Sequence, residues 1–163
     1  MIQVKFEDKN LINLIAAMAK EIWHEHYAPI CPDGQVDYML NKFQSYGAIE
    51  KQIKQKELSY YIIECDGKYA GYFAFAPHGE EMFLSKFYIY KHFRGKGLAR
   101  KVINFVAGIA KGRNLNAITL TVNRHNTGSI AVYQKIGFLK DKEALTDIGG
   151  GFVTDDFCFK LSI

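Results

Sequence analysis

Leu11, Leu14, Ile15, Met18, Ala19 and Ile22 recur at intervals of three and four, the spacing that lines one face of an α-helix. Asn10 stands in front of them as the expected cap. Residues 2–6 alternate apolar and polar, as an edge strand does. Pro29 and Pro32 interrupt the helical pattern, which resumes after Asp33 with Val36, Met39, Leu40 and Phe43 on one face. From about Leu58 the period changes. Residues 60–65 and 69–76 are apolar and aromatic runs separated by Asp66-Gly67-Lys68. Asp-Gly between two such runs predicts a tight hairpin, because the turn requires positive φ. Residues 82–90 predict a third long strand, so this stretch reads as an antiparallel meander packed on the N-terminal helices.

The period then switches again. Leu98, Val102, Val106 and Ile109 form a stripe on a helix that follows a Gly-containing loop directly and ends at Gly112-Arg113-Asn114. In residues 117–122, Ile118, Leu120 and Val122 share one face, with Thr119 and Thr121 on the other. Strand, helix and strand in succession predict a βαβ unit with a right-handed crossover and parallel pairing. A further helix over residues 127–136 is stopped by Gly137. Apolar strands follow near Phe138 and over residues 152–161, with Gly149-Gly150-Gly151 between them. The strand around residues 157–161 is a candidate sheet edge, one that pairs with another strand or is covered. The predicted fold class is α/β, a mixed and mainly antiparallel sheet of about six to seven strands with about four helices. One domain over residues 1–163 is expected, with no repeat or linker.

Composition narrows the function classes. With 48% hydrophobic and 23% charged residues, the chain has an ordinary globular profile. No run approaches the roughly 18 apolar residues of a membrane span. Residues 1–6 lead into charged positions rather than the apolar core of a signal peptide, so a cytoplasmic location and no membrane partner are expected. Cys31, Cys65 and Cys158 are scattered, without a C-x-x-C pair, which argues against a disulfide framework and against a metal site. A net charge of +4 is weak grounds for a nucleic-acid partner. Its distribution says more: Lys91, His92, Arg94, Lys96, Arg100 and Lys101 crowd together while signs alternate elsewhere. A local cationic cluster points to a single anionic ligand.

That cluster overlaps Arg94-Gly95-Lys96-Gly97-Leu98-Ala99, where a strand ends and an amphipathic helix begins. Glycine lets the backbone take positive φ and lets a ligand approach the N–H groups. The first N–H groups of a helix lack partners, and its dipole favours negative charge there. On these residues alone two readings stay open, a pyrophosphate cradle and a solvated basic turn before an ordinary helix. A Walker loop has no match, and Arg100 stands where the dinucleotide fingerprint needs its third glycine.

The segment resembles motif A of the GNAT superfamily of N-acetyltransferases, Q/R-x-x-G-x-G/A, with Arg94, Gly97 and Ala99 at the defining positions. A second block, Asn126 to Phe138, is similar to motif B, in which an Asn is followed by a small residue, a Tyr (here Tyr133) and Gly-Phe. The resemblance covers roughly residues 59–160. Lys91 stands where a proline is common and Ser129 where alanine is common. It implies a GNAT-like fold with a central, splayed parallel pair of strands, and acetyl-CoA as co-substrate. The pyrophosphate would lie on Arg94, Gly95, Lys96, Gly97, Leu98 and Ala99. Backbone groups of Phe87, Tyr88 and Ile89 would hold the pantetheine arm and polarise the acetyl carbonyl, and Asn126 would contact the cofactor, cap its helix, or both. Tyr133 would be the general acid. Glu80 or Glu81 would be the base, beside the plainer reading of a charged loop before a strand. Trp23, His24, His26 and Tyr27 are left to packing, a helix end or the wall of an acceptor pocket.

The acceptor implied is a primary amine. Glu80, Glu81, Asp155 and Asp156 favour a small polyamine-like substrate, with an amino sugar beside it. The alternatives are acetylation of a protein N-terminus or lysine, and a non-catalytic acyl-CoA-binding module. A nucleic-acid-binding module, carried by the basic loop and the tyrosines, is the outsider. Many members of the superfamily dimerise, so a homodimer is an expectation as well.

Overall fold

The computed structural model describes residues 1–163. Its strands are β1 (Ile2–Val4), β2 (Ser59–Cys65), β3 (Lys68–His78), β4 (Glu81–Ile89), β5 (Ala117–Asn123), β6 (Leu139–Gly149) and β7 (Phe152–Ser162). They form a seven-stranded sheet in the order β1-β2-β3-β4-β5-β7-β6. β4 and β5 are parallel, whereas β1–β2, β2–β3, β5–β7 and β6–β7 are antiparallel. The helices are α1 (Lys9–Tyr27), α2 (Gln35–Met39), α3 (Tyr46–Lys54), α4 (Leu98–Gly112) and α5 (Thr127–Ile136). Four of them have nine residues or more, and α2 is a five-residue turn. The expected mixed α/β sheet is therefore present. The chain groups into two compact units, Met1–Ala76 with Lys86–Arg94, and Pro77–Ser85 with Gly95–Ile163.

In the first unit α1 buries Ile12, Ile15, Met18, Ala19 and Ile22, the stripe its spacing predicts. Asn10 is not its cap. Asp8 precedes the helix, and its carboxylate accepts from the Lys5 N–H (2.9 Å) rather than from the helix. The second expected helix is broken. α2 passes into a π-helical stretch, Leu40–Gln44, and α3 starts afresh behind Ser45, whose Oγ accepts from the Ala48 N–H at 3.3 Å. The wider turn has a physical cause in Gln44, whose buried side chain sits in a polar chain. Its Oε1 accepts from the Tyr72 hydroxyl (2.7 Å) and its Nε2 donates to the Phe43 carbonyl (2.6 Å). Tyr60 extends the chain, donating to Gln52 Oε1 at 2.6 Å. The β2–β3 turn is the predicted one, with positive φ at Asp66 (53°) and Gly67 (72°).

In the second unit the parallel register pairs Glu81 with Ala117, Met82 with Ile118 and Phe83 with Thr119, and stops there. Leu84 and Ser85 have no partner on β5, so the two strands part after three positions. Ile118, Leu120 and Val122 of β5 are buried, as are Leu98, Val102 and Val106 of α4. One expectation is corrected. β7 is not a sheet edge, because β5 pairs along one side and β6 along the other. The edge is β6, with Leu139 and Leu145 about three-quarters exposed.

Candidate functional site

The loop before α4 is built to leave backbone in the open. A 3-10 turn at Lys91–Phe93 buries Phe93, and Arg94 folds back so that its Nε donates to the Ile89 carbonyl (3.0 Å). Gly95 and Gly97 have φ of 78° and 75°, left-handed values that a side chain disfavours. A Cβ placed on either would meet no atom within 4 Å, so the space beside both is free. Lys101 N–H to Gly97 C=O, at 3.2 Å, anchors the first turn of α4. The amides of Leu98, Ala99 and Arg100 precede it at the helix end, where amides lack intrahelical acceptors. Leu98 itself is buried and seats the helix. The basic cluster is not all available to an anion. One guanidinium nitrogen of Arg100 donates to the Lys135 carbonyl (3.3 Å) in the last turn of α5.

At the far end of β4, Phe87, Tyr88 and Ile89 lie in the first unit. Tyr88 packs its ring on Trp23 (5.2 Å between centroids), Tyr72 (5.4 Å) and Tyr27 (6.3 Å). Trp23 and Tyr72 are buried, so this is an aromatic wall resting on α1 and β3. Gly71 sets how closely the strands approach, since a Cβ there would lie 2.1 Å from the Tyr88 carbonyl oxygen. The next rung is Tyr90 N–H to Ala70 C=O at 3.0 Å. The Tyr90 hydroxyl donates to Glu21 Oε2 (2.8 Å), and burial together with that carboxylate pushes it up to about 12. His24 meets Asp37 at 3.1 Å and His26 lies edge-on to Tyr27.

The second unit carries the remaining candidates. Asn126 is 5% exposed and its Oδ1 accepts from the Ser129 N–H (3.1 Å), the capping role foreseen for it. Tyr133 is 8% exposed, its ring against Phe138 (5.7 Å) and Phe159 (6.5 Å). Glu81 opens β4 and Glu80 stands just before it, six and seven residues before Phe87. That is about 20 Å of extended chain at ~3.3 Å per residue. Glu81 Oε1 pairs with Lys160 Nζ at 2.5 Å, and Glu80 accepts from Asn116 through both its carbonyl (3.0 Å) and its side chain (3.5 Å). Asp155 is held by Arg124 Nε at 2.8 Å. Asp156 has no such cation, and burial raises its carboxyl above the usual range.

Sequence reasoning missed Gly71 and the Gln44 chain. An isolated glycine inside an apolar strand is a signal of close backbone approach and was available to find the first. Nothing local marks Gln44, whose partners are distant in sequence.

The family model of the Acetyltransferase (GNAT) family matches residues 16–138. No curated protein sequence matches the chain. Among solved structures, the PaiA N-acetyltransferase of Thermoplasma acidophilum, in complex with coenzyme A, is similar with a TM-score of 0.80 and 18% identity, over 98% of this chain and 96% of that one. RimL, a ribosomal L7/L12 alpha-N-protein acetyltransferase in complex with coenzyme A, gives 0.69 and 15%, over 96% and 90%. A GNAT family acetyltransferase of Elizabethkingia anophelis with acetyl-CoA bound gives 0.56 and 16%, over 69% and 82%. At such identities these likenesses speak to the fold.

Proposed function

The chain belongs to the acetyltransferase (GNAT) family and is an N-acetyltransferase that acts with acetyl-CoA, and on that premise we propose that its acceptor is a small primary amine and that the start of α4 holds the cofactor's pyrophosphate. The observation that carries the site is the pair of open, left-handed glycines at the α4 N-terminus, which fits a pyrophosphate lying on bare backbone. Arg94 and Lys96 supply charge beside it. Asn126 belongs to the same reading as the residue that fixes the start of α5.

Bound acetyl-CoA supplies an activated acetyl thioester. The work of the chain is to hold it and to move two protons. An alkylammonium has a pKa near ~10 and must lose its proton before it attacks. Backbone N–H groups of Phe87, Tyr88 and Ile89 are assigned to the arm and to the carbonyl oxygen, where donors stabilise the charge that develops. Tyr133 is assigned to protonate the departing sulfur. Glu80 or Glu81, at the other end of β4 and about 20 Å of extended strand from Phe87, would take the amine's proton only along a chain of several waters.

Of the four carboxylates offered to a polyamine, Glu81 and Asp155 already hold cations, which leaves Glu80 and Asp156 to that class. An amino sugar needs neither. The proposal extends to a single catalytic domain working in the cytoplasm, in keeping with three cysteines outside any disulfide. No helix is long and apolar enough to cross a membrane.

The test is a screen of amines with acetyl-CoA, read by free thiol, with Tyr133→Phe beside the wild type. The variant keeps the ring against Phe138 and Phe159 and removes the proton. Turnover should fall at least ~10-fold, a cautious share of the general-acid range. The rise in Tm with acetyl-CoA should remain, since a ligand bound only by the folded state stabilises it by mass action. Wild-type turnover in the variant would return Tyr133 to packing.

A further inference from the structure

The first unit encloses one cation that no anion answers. Lys86 lies in β4, one residue before the segment assigned to the thioester. Its Nζ stands 5.6 Å from the centre of the Phe43 ring, and no carboxylate lies within ion-pair distance. The side chain still reaches solvent, but protein packs around the amino group, and that desolvation pushes its pKa down to about 8. Below that value it is mostly a cation. A desolvated cation without a counter-ion is costly, and a ring face at this distance compensates only in part.

The placement of Lys86 is specific. Alternation along β4 puts it on the face of Tyr88, toward Trp23, Tyr27 and Tyr72. Phe43 is held there by its carbonyl, which accepts from Gln44 (2.6 Å) and from Gln52 (3.3 Å) in the π-helical stretch. A second donor on this face is also poorly met. Trp23 Nε1 is buried without an acceptor in good geometry, although it leans on the Tyr72 oxygen enough to oppose the rise that burial imposes on that phenol. The Tyr72 proton is already given to Gln44. The groups left short are both donors, one of them charged, on an aromatic wall. The complement to that arrangement is a carboxylate carried on a small organic body.

We propose that Lys86 receives a carboxylate of the acceptor, so that the amine acetylated is an amino acid or another small amino-carboxylate. The proposal rests on the reading of the chain as an amine acetyltransferase and names its substrate class. Lys86 is then a specificity residue. Its ammonium forms a charge-assisted hydrogen bond that a bare amine does not offer.

The test uses matched acceptors that differ only in the carboxylate, phenylalanine against phenethylamine and 5-aminopentanoate against pentylamine. Two readouts run in parallel. One is thiol release with acetyl-CoA. The other is fluorescence titration with the N-acetylated form of each molecule, for which Trp23, the only tryptophan, reports on this face. The wild type should show a KM or Kd at least ~10-fold lower for the carboxylate member of a pair, the scale of one charge-assisted hydrogen bond. Lys86→Met should bring the two members of each pair together, and Lys86→Arg should restore part of the gap. No preference in the wild type overturns the proposal without recourse to any variant, as does a preference that survives Lys86→Met. Bare amines acetylated without preference would sink this proposal and leave the amine reading standing. No acetylation and no thermal shift with acetyl-CoA would sink both. Where turnover is silent but acetyl-CoA stabilises the fold, the titration alone decides.

Discussion

The charges of the two units are handled in different ways. In the second unit, Lys160 meets Glu81 at 2.5 Å, Arg124 holds both Asp155 and Glu143 at 2.8 Å, and Lys140 meets Glu143 at 2.6 Å. Each of these cations has an anion beside it, and burial there is slight. Such solvent-screened pairs contribute little to stability. In the first unit Lys86 has only a phenyl ring, in surroundings that depress its pKa. The polar run from Tyr72 through Gln44 to the Phe43 carbonyl is by contrast satisfied at close range. A fold that pairs its exposed ions and leaves an enclosed one alone has reserved a place for something that arrives with the opposite charge.

The contrast is open to attack at several points. The largest effect is expected from Gly71→Val, since even a Cβ would lie 2.1 Å from the Tyr88 carbonyl oxygen, backbone that has no way to yield cheaply. Overpacking of this kind costs about 1–3 kcal/mol and occasionally more. Urea unfolding should show it, and the Trp23 fluorescence of any folded fraction should shift as Tyr88 moves. Gly97→Glu should act on the ligand instead. Nothing lies within 4 Å of its Cβ, so the cost is confined to a φ of 75°, about 1 kcal/mol in Tm measurements without ligand. The rise in Tm with acetyl-CoA should vanish, because a carboxylate would stand where the pyrophosphate belongs. A full thermal shift in this variant would move the cradle elsewhere. The smallest effects belong to the paired ions. Glu81→Gln should leave the urea midpoint almost unchanged, because solvent screens its pair with Lys160. Glu80→Gln and Glu81→Gln, assayed separately, should slow turnover in at most one case, and no slowing in either would remove both carboxylates from the chemistry.

Local pattern carried far in this chain where its cause was local. Asp66-Gly67 marked its turn because positive φ is a property of those two residues. The glycines before α4 and the Asn126 cap were legible for the same reason. The break between α2 and α3 was not, since it depends on Gln44 finding Tyr72, far along the chain. The edge position expected for the strand around residues 157–161 did not hold, because alternation tells which face of a strand is covered, not which strands stand beside it. Lys86 escaped notice altogether. A single lysine in an aromatic strand looks like a solvent-facing position until the residues around it are known, and Phe43 is distant in sequence.

Because the first unit comprises Met1–Ala76 and Lys86–Arg94, neither unit is one continuous stretch of chain. During synthesis from the N-terminus, the first unit lacks Tyr88 and the strand that carries it until the ribosome has released Arg94. Until then Trp23, Tyr72 and Gly71 stand without the partner they are shaped for, an exposed aromatic surface of the kind chaperones bind. The second unit waits longer. β7, the strand that pairs with both β5 and β6, is made after either of them. The order of translation and the order of folding are thereby tied together, and a pause before Arg94 would lengthen the life of the unprotected state.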